Sequence, residues 1–129
     1  MQRVFASAKN YWIRLTFLAS KPYSQNSTKA LLSRVRACDL CAVHLPLGPK
    51  PVFQFGACAP ILLVGQAPGS AAHNSGIPFS DPSGERLRRW LGVTSQSFYN
   101  PRHFALLPMG FCYPGKGSGG DLPPRPECA

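Results

Sequence analysis

Acidic residues are scarce in this sequence and absent from its beginning. The 129 residues carry only five Asp and Glu against 14 Lys and Arg, for a formal net charge of +9. Residues 1–37 hold seven basic residues and no acidic one, whereas residues 38–129 hold seven basic and five acidic residues. Because the excess charge is concentrated at one end, the charge alone supports a nucleic-acid partner only weakly.

The sequence also lacks an apolar run long enough to cross a membrane. The stretch from Tyr11 to Ala19 is short and is interrupted by Arg14, so we expect no membrane partner and no secretory signal. Residues 1–30 are predicted to form a basic extension, disordered or of the organelle-targeting kind, ahead of a single domain over residues 31–129. We expect a cytoplasmic monomer, with an organelle as the alternative location.

The predicted elements follow the order of a parallel α/β sheet. A short helix is predicted over Ser27–Val35. The aliphatic run Ile61–Val64 predicts a strand buried on both faces, and Phe104–Met109 predicts a second strand. Between them, Asp81 is predicted to cap a helix that ends at Gly92. This order of strand, loop, helix and strand is typical of a parallel α/β fold.

Proline- and glycine-rich loops contain the candidate binding residues. Segment 46–60 is predicted to be an extended, edge-like segment or a hairpin, and the loop over residues 65–84 is long enough to indicate a function. It opens with Gly-Gln-Ala-Pro-Gly, whose backbone amides would face an anion or a base edge; a plain strand-exit turn is the alternative.

A second glycine-rich loop, Gly110–Gly117, nearly matches a phosphate-binding loop. However, Gly117 replaces the hydroxyl residue that would hold magnesium, and no helix follows, which argues against a nucleotide triphosphatase. Lys116 and Gly117 are predicted to contact a nucleic-acid backbone instead, with a plain surface loop as the alternative.

Four of the five cysteines are placed to bind a metal cofactor. Cys38 and Cys41 form a Cys-x-x-Cys pair, Cys112 and Cys128 follow much later, and Cys58 is left over. Four thiolates hold either a [4Fe-4S] cluster or a structural zinc. The second Cys-x-x-Cys knuckle of a zinc ribbon is absent, and the wide spacing of the last two cysteines favours a cluster. Ordinary free thiols are the alternative.

Two side chains of the long loop are candidates for base binding or chemistry. His73 would position a water or a base, although a lone histidine in a loop is usually solvated. Phe79 would stack on a base, although an aromatic residue just before a helix is as often a hydrophobic staple.

Taken in order, these motifs resemble the uracil-DNA glycosylase superfamily, specifically its iron-sulfur, family-four-like branch. The resemblance covers about residues 31–129 and rests on CDLC, GQAPG after a strand, SGIPFSDPSGERLRRWLG, a strand into GFC, and ECA. It implies a parallel-sheet, three-layer α/β fold, of which this chain is the N-terminal portion and which is truncated at the C-terminus. It also implies that DNA containing uracil is the partner.

The resemblance assigns roles to individual residues. Phe79 would stack on a uracil flipped out of the DNA, and the backbones of Gln66 and Ala67 would make the catalytic contacts. The base pocket would consist of Phe79 and the first loop, Gly65, Gln66, Ala67, Pro68 and Gly69. A [4Fe-4S] cluster would be bound by Cys38, Cys41, Cys112 and Cys128.

The sequence departs from the family pattern at several positions. Ala67 supplies no carboxylate to activate water, Pro108 stands where an Asn reads uracil, and the histidine loop of the family does not occur. We therefore predict a weakly active or inactive hydrolase of the N-glycosidic bond, with His73 as the remaining candidate base. The alternatives are a non-catalytic iron-sulfur module that binds nucleic acid and a zinc-stabilised structural protein.

Overall fold

The computed structural model describes residues 25–128, so most of the predicted extension over residues 1–30 lies outside the described residues. Two 3-10 helices, at Ala42–His44 and Pro126–Cys128, accompany the other elements. These are α1 (Gln25–Arg36), β1 (Ile61–Gly65), α2 (Ser70–Ser75), α3 (Pro82–Leu91), α4 (Ser95–Phe98), β2 (Phe104–Pro108), β3 (Lys116–Gly117) and β4 (Gly120–Asp121). Over residues 25–128, no helix combines the length and apolar character needed to span a bilayer.

A small parallel sheet forms the centre of the fold. β1 and β2 are parallel neighbours, with Gly65 opposite Pro108, and α2, α3 and α4 provide the crossover that parallel strands require. The pairing continues beyond the strands, since Met109 N–H donates to Gly65 O and Gly110 N–H donates to Gln66 O, both at 2.9 Å. The predicted mixed α/β fold with a parallel sheet is confirmed, and both strand-exit loops are fixed at one edge of it.

The prediction that β1 is buried on both faces is wrong within the described part of the chain. The exposed fractions of Leu62 and Val64 are 57% and 64%. β1 pairs with β2 on one side only, whereas β2 is central, because Gln54 forms an antiparallel bridge with Leu106 on its other side. The extended, edge-like segment predicted over residues 46–60 therefore covers β2 and leaves β1 exposed.

Aromatic side chains build the core around β2. Phe98 and Leu106 are fully buried and Phe104 is 2% exposed. The ring of Phe98 lies 5.4 Å from that of Phe104 and, in an edge-to-face arrangement, 6.1 Å from that of Phe79. Burying each such side chain contributes about 1.5–3 kcal/mol, so this cluster anchors the crossover helices to the sheet.

The crossover matches the prediction in α3 but not in α2. The carboxylate of Asp81 accepts a hydrogen bond from Gly84 N–H, and Gly92 ends α3 in the left-handed conformation, as predicted from these two residues. α2 was not predicted, because its first residue follows Gly69, which has no side chain to cap it. The long loop is thus partly helical.

Candidate functional site

A cavity of about 220 Å³ opens at the carboxyl ends of β1 and β2. This volume suits one planar ring better than a drug-sized ligand, whose pockets run from about 300 to 1,000 Å³. The structure brings all the residues of the predicted base pocket into its wall, namely Gly65, Gln66, Ala67, Pro68, Gly69 and Phe79. Pro108, at the end of β2, also lines the cavity. Their roles in base binding stay predictions.

The ring of Phe79 borders both the cavity and the core. Its Cζ atom lies 3.4 Å from the position that a Cβ on Gly65 would take, and its edge-to-face contact with Phe98 joins it to the core. The ring is therefore directed towards the first loop and is not buried beneath α3. Both predicted uses of Phe79, as a stacking surface and as a staple, are compatible with this position.

The backbone of Phe79 is held in an unfavourable conformation. Its φ of 55° is the only positive φ of a non-glycine residue in the part of the chain described, and such a conformation costs about 1–3 kcal/mol. The Phe79 carbonyl accepts hydrogen bonds from Arg88 Nη1 at 3.1 Å and from the Tyr99 hydroxyl at 2.9 Å. A Cβ on Gly84 would lie 1.9 Å from the same oxygen. Arg88, Tyr99 and Gly84 together fix the ring at the cavity.

His73 lies outside the wall of this cavity. The alternative of a solvated loop histidine does not apply, since His73 belongs to α2 and is only 8% exposed. Its Nδ1 has no hydrogen-bond partner among the described residues, and its ring lies 6.1 Å from that of Tyr113. Burial, with a smaller effect of the Lys50 cation, lowers the pKa of His73. The buried ring is therefore neutral near pH 7, and its role as a base stays untested.

The lowered pKa of His73 makes the stability of the protein depend on pH. Unfolded His73 takes up a proton near pH 6.5, whereas folded His73 does so only at lower pH. The unfolded state thus binds more protons as the pH falls below about 6.5, and the free energy of unfolding decreases by up to about 1.4 kcal/mol per pH unit. We expect His73→Leu to reduce this loss in urea titrations at pH 7.5, 6.5 and 5.5.

The control for this prediction is His103→Leu, which makes the same substitution at an exposed histidine. Any loss of stability at low pH that is common to the variants drops out when their free energies of unfolding are compared. If His73→Leu and the wild type lost stability in parallel between pH 6.5 and 5.5, the buried histidine would not be the titrating group.

The second glycine-rich loop forms a hairpin at the rim of the cavity. β3 and β4 pair with Lys116 opposite Asp121 and Gly117 opposite Gly120. Lys116 is exposed, and neither Lys116 nor Gly117 lines the cavity, whereas Asp121 and Leu122 do. The predicted contact of Lys116 and Gly117 with a nucleic-acid backbone stays a prediction. Asp121 was missed because nothing in the local sequence relates it to the distant first loop.

The four cysteines predicted to bind a cofactor line a second cavity, of about 350 Å³. Leu31 and Val35 of α1 also line this cavity. Cys41 and Cys112 are buried, and the Sγ atoms of Cys41 and Cys128 are 3.0 Å apart. Cys58 is exposed and does not line this cavity. The structure thus brings together Cys38, Cys41, Cys112 and Cys128.

Two thiols of this cavity, those of Cys41 and Cys112, have raised pKa values. A hydrogen bond with Cys128, together with burial, raises the pKa of Cys41 to about 11. Burial also raises the pKa of Cys112, against a hydrogen bond from the Lys50 backbone that lowers it. A cofactor bound by these sulfurs must therefore release protons on binding.

The cysteines surround the cavity without forming a compact ligand shell. Within residues 25–128, no group of three or more His, Cys, Asp or Glu side chains converges closely enough to hold one metal ion. A tetrahedral zinc needs its sulfurs about 2.3 Å from one point. In a [4Fe-4S] cluster, in contrast, each cysteine binds a different iron. Four thiols that line one cavity are a donor set that either group can use.

Glu127 contacts His44, which follows the first cysteine pair. Glu127 Oε1 lies 3.4 Å from His44 Nε2, beside the first cysteine pair, and 3.1 Å from Arg125 Nη2. Its neighbour Cys128 ends the last 3-10 helix. The pairing of Glu127 with His44 therefore connects the two segments that carry cysteines.

A cavity at the carboxyl ends of two parallel strands, closed by a crossover loop and an aromatic ring, defines an α/β protein with a ligand site at its strand ends. A family comparison specifies this class further. Residues 53–129 match the model of the uracil DNA glycosylase superfamily, and the chain belongs to this superfamily. Membership implies DNA binding and a glycosylase-like function at the level of the family.

Proposed function

We propose that this protein is a uracil-DNA glycosylase of the iron-sulfur, family-four-like branch, which hydrolyses the bond between uracil and deoxyribose in DNA. The observation that carries the proposal is the joint placement of the Gly65–Gly69 loop and Phe79 around one cavity at the strand ends. In a member of this superfamily, such a cavity has the composition needed to hold a single extruded base.

Different residues would contact different parts of the flipped nucleotide and its DNA. The uracil would leave the stack, because its glycosidic bond is unreachable inside a duplex, and its face would stack on Phe79. The backbones of Gln66 and Ala67 would contact the edge of the base, and Lys116 with Gly117 would contact the DNA backbone. Because Pro108 has no amide side chain, base recognition depends more heavily on the backbone of the first loop.

We further propose that Cys38, Cys41, Cys112 and Cys128 bind a [4Fe-4S] cluster. The placement of the four cysteines around one cavity supports a shared cofactor, and the wide sequence spacing between Cys112 and Cys128 favours a cluster over a single zinc. A bound cluster would supply a covalent connection between the Cys38–Cys41 segment and the two later cysteines. It is a structural group in this proposal, since its cavity and the base cavity share no lining residue.

The proposed function is tested by uracil excision under single-turnover conditions, with anaerobically purified protein in excess over a labelled oligonucleotide. We expect slow release of uracil and no release of thymine. Phe79→Leu keeps an apolar side chain but removes the stacking face, and we expect it to lower the excision rate about 10- to 100-fold, since stacking contributes about 1–3 kcal/mol per base.

Phe55→Leu is the matched control, because Phe55 is a partly buried aromatic residue that lines neither cavity. It should leave excision unchanged. Binding to uracil-containing DNA without any excision would favour a non-catalytic nucleic-acid-binding module. Equal losses in Phe79→Leu and Phe55→Leu would remove the stacking role.

A further inference from the structure

The base cavity contains two carboxylates, although the first loop contributes none. Of the five acidic residues in the sequence, Asp81 and Asp121 line this cavity. Both approach the first loop at Gly69. A Cβ on Gly69 would lie 3.0 Å from Asp121 Oδ2 and 3.9 Å from Asp81 Oδ2. Glycine at this position therefore allows the Asp121 carboxylate to approach the loop closely.

The two carboxylates differ in their hydrogen bonds. Asp81 Oδ1 accepts hydrogen bonds from the Ser83 hydroxyl at 2.7 Å and from Gly84 N–H at 2.9 Å, which caps α3. Burial raises the pKa of Asp81, but these hydrogen bonds outweigh burial and the net pKa is lowered. Among the described residues, Asp121 makes no side-chain hydrogen bond and no ion pair. Its carboxylate remains available to a ligand.

The backbone of Asp121 is fixed at the cavity rim. Asp121 pairs with Lys116 in the β3–β4 hairpin, and the next residue, Leu122, donates its N–H to Gly115 O at 2.9 Å. The Leu122 side chain packs on Gly117, where a Cβ would lie 3.1 Å from it. These contacts place an unengaged carboxylate beside the loop that is proposed to hold the base.

We propose that Asp121 is the catalytic carboxylate of this protein and activates the attacking water; this inference rests on the proposed function. The water oxygen forms a bond to C1′ of the deoxyribose while the bond from C1′ to uracil N1 breaks. The electron pair of that bond leaves with uracil. Asp121 takes the proton of the water, and solvent later protonates the uracil anion. The ionised carboxylate also stabilises the positive charge that develops on the sugar.

This assignment accounts for the absence of an acid at Ala67. The carboxylate delivered from β4 lies at the cavity beside Gly69, so the first loop needs to supply only backbone contacts. His73 is not needed as the base, since its ring is buried outside the cavity wall.

The test compares wild type, Asp121→Asn and Glu85→Gln in two measurements. The first is single-turnover uracil excision, where Asp121→Asn should be slower by about 100-fold or more. The second is binding to duplexes that contain either a cationic pyrrolidine or a neutral tetrahydrofuran abasic analogue. We expect Asp121→Asn to weaken binding of the cationic duplex at least about 10-fold more than binding of the neutral one. Glu85 is exposed and outside the cavity, so Glu85→Gln should match the wild type.

Several outcomes would overturn the assignment. Equal weakening for the two duplexes would indicate a structural role for Asp121, as would a lowered urea midpoint in Asp121→Asn. A larger loss in His73→Ala, or in Asp81→Asn, which keeps a residue able to cap α3, would move the catalytic role to that residue. A wild type that neither excises uracil nor binds either duplex would refute the proposed function itself and this inference with it.

Discussion

Replacing Cys112 with serine is expected to remove the visible absorption of the anaerobically purified protein and to lower its midpoint of thermal unfolding by at least about 10 °C. Cys112 is 7% exposed and shares its cavity with the other three cysteines. A serine there would leave one iron of the proposed cluster without its thiolate and would weaken the connection that this cluster makes between the two cysteine segments. Iron and sulfide analysis, absorption spectroscopy and a thermal scan measure the effect.

Cys58→Ser is the control for this experiment, because Cys58 is exposed and lies outside the cysteine cavity. It should retain the absorption, the iron and the thermal midpoint of the wild type. Stoichiometric zinc in place of iron would replace the cluster with a zinc site. Cys112→Ser protein that kept its full iron content would remove Cys112 from the ligand set.

Replacing Gly84 with alanine is expected to destabilise the protein, although alanine is the better helix former. In an unconstrained helix the change would stabilise by up to about 1 kcal/mol. Here the new Cβ would lie 1.9 Å from the Phe79 carbonyl oxygen, so the Phe79 backbone must move. We expect a net loss of about 1–3 kcal/mol in urea unfolding. Excision should fall as well, because the displaced carbonyl loses the hydrogen bonds that hold the ring.

The matched substitution is Gly119→Ala, where a Cβ meets nothing within 4 Å and the backbone is not in the left-handed region. Its effect should stay within about 0.5 kcal/mol. A stabilised Gly84→Ala protein would show that the close approach of α3 to Phe79 does not exist in solution.

The sequence predicts those parts of the fold that depend on neighbouring residues in the chain. α3 is predicted correctly because both of its ends carry local signals, a capping aspartate and a terminal glycine. α2 has no such signals and is missed. The burial of β1 is predicted wrongly because an aliphatic run has the same appearance whether or not other elements cover it.

The candidate site shows the same division. The residues of the first loop and Phe79 were recognisable because motifs in the chain identify them. Asp121 and the Arg88–Tyr99 pair belong to the site because segments distant in the sequence are in contact. No local sequence pattern predicts such contacts. The burial of His73 follows from the unpredicted helix α2, so its environment was equally inaccessible to sequence reasoning.

The position of Gln54 bears on where the sheet can be extended. Since Gln54 bridges to the outer side of β2, the unpaired edge of β1 is a place where a further strand can join the described sheet, whether from a longer chain or from another molecule. Such a strand would pair with the backbone edge of β1. If it ran parallel to β1, it would end next to Gly65. The residues after this strand would then line the base cavity. The same added strand would extend the sheet and enlarge the cavity wall.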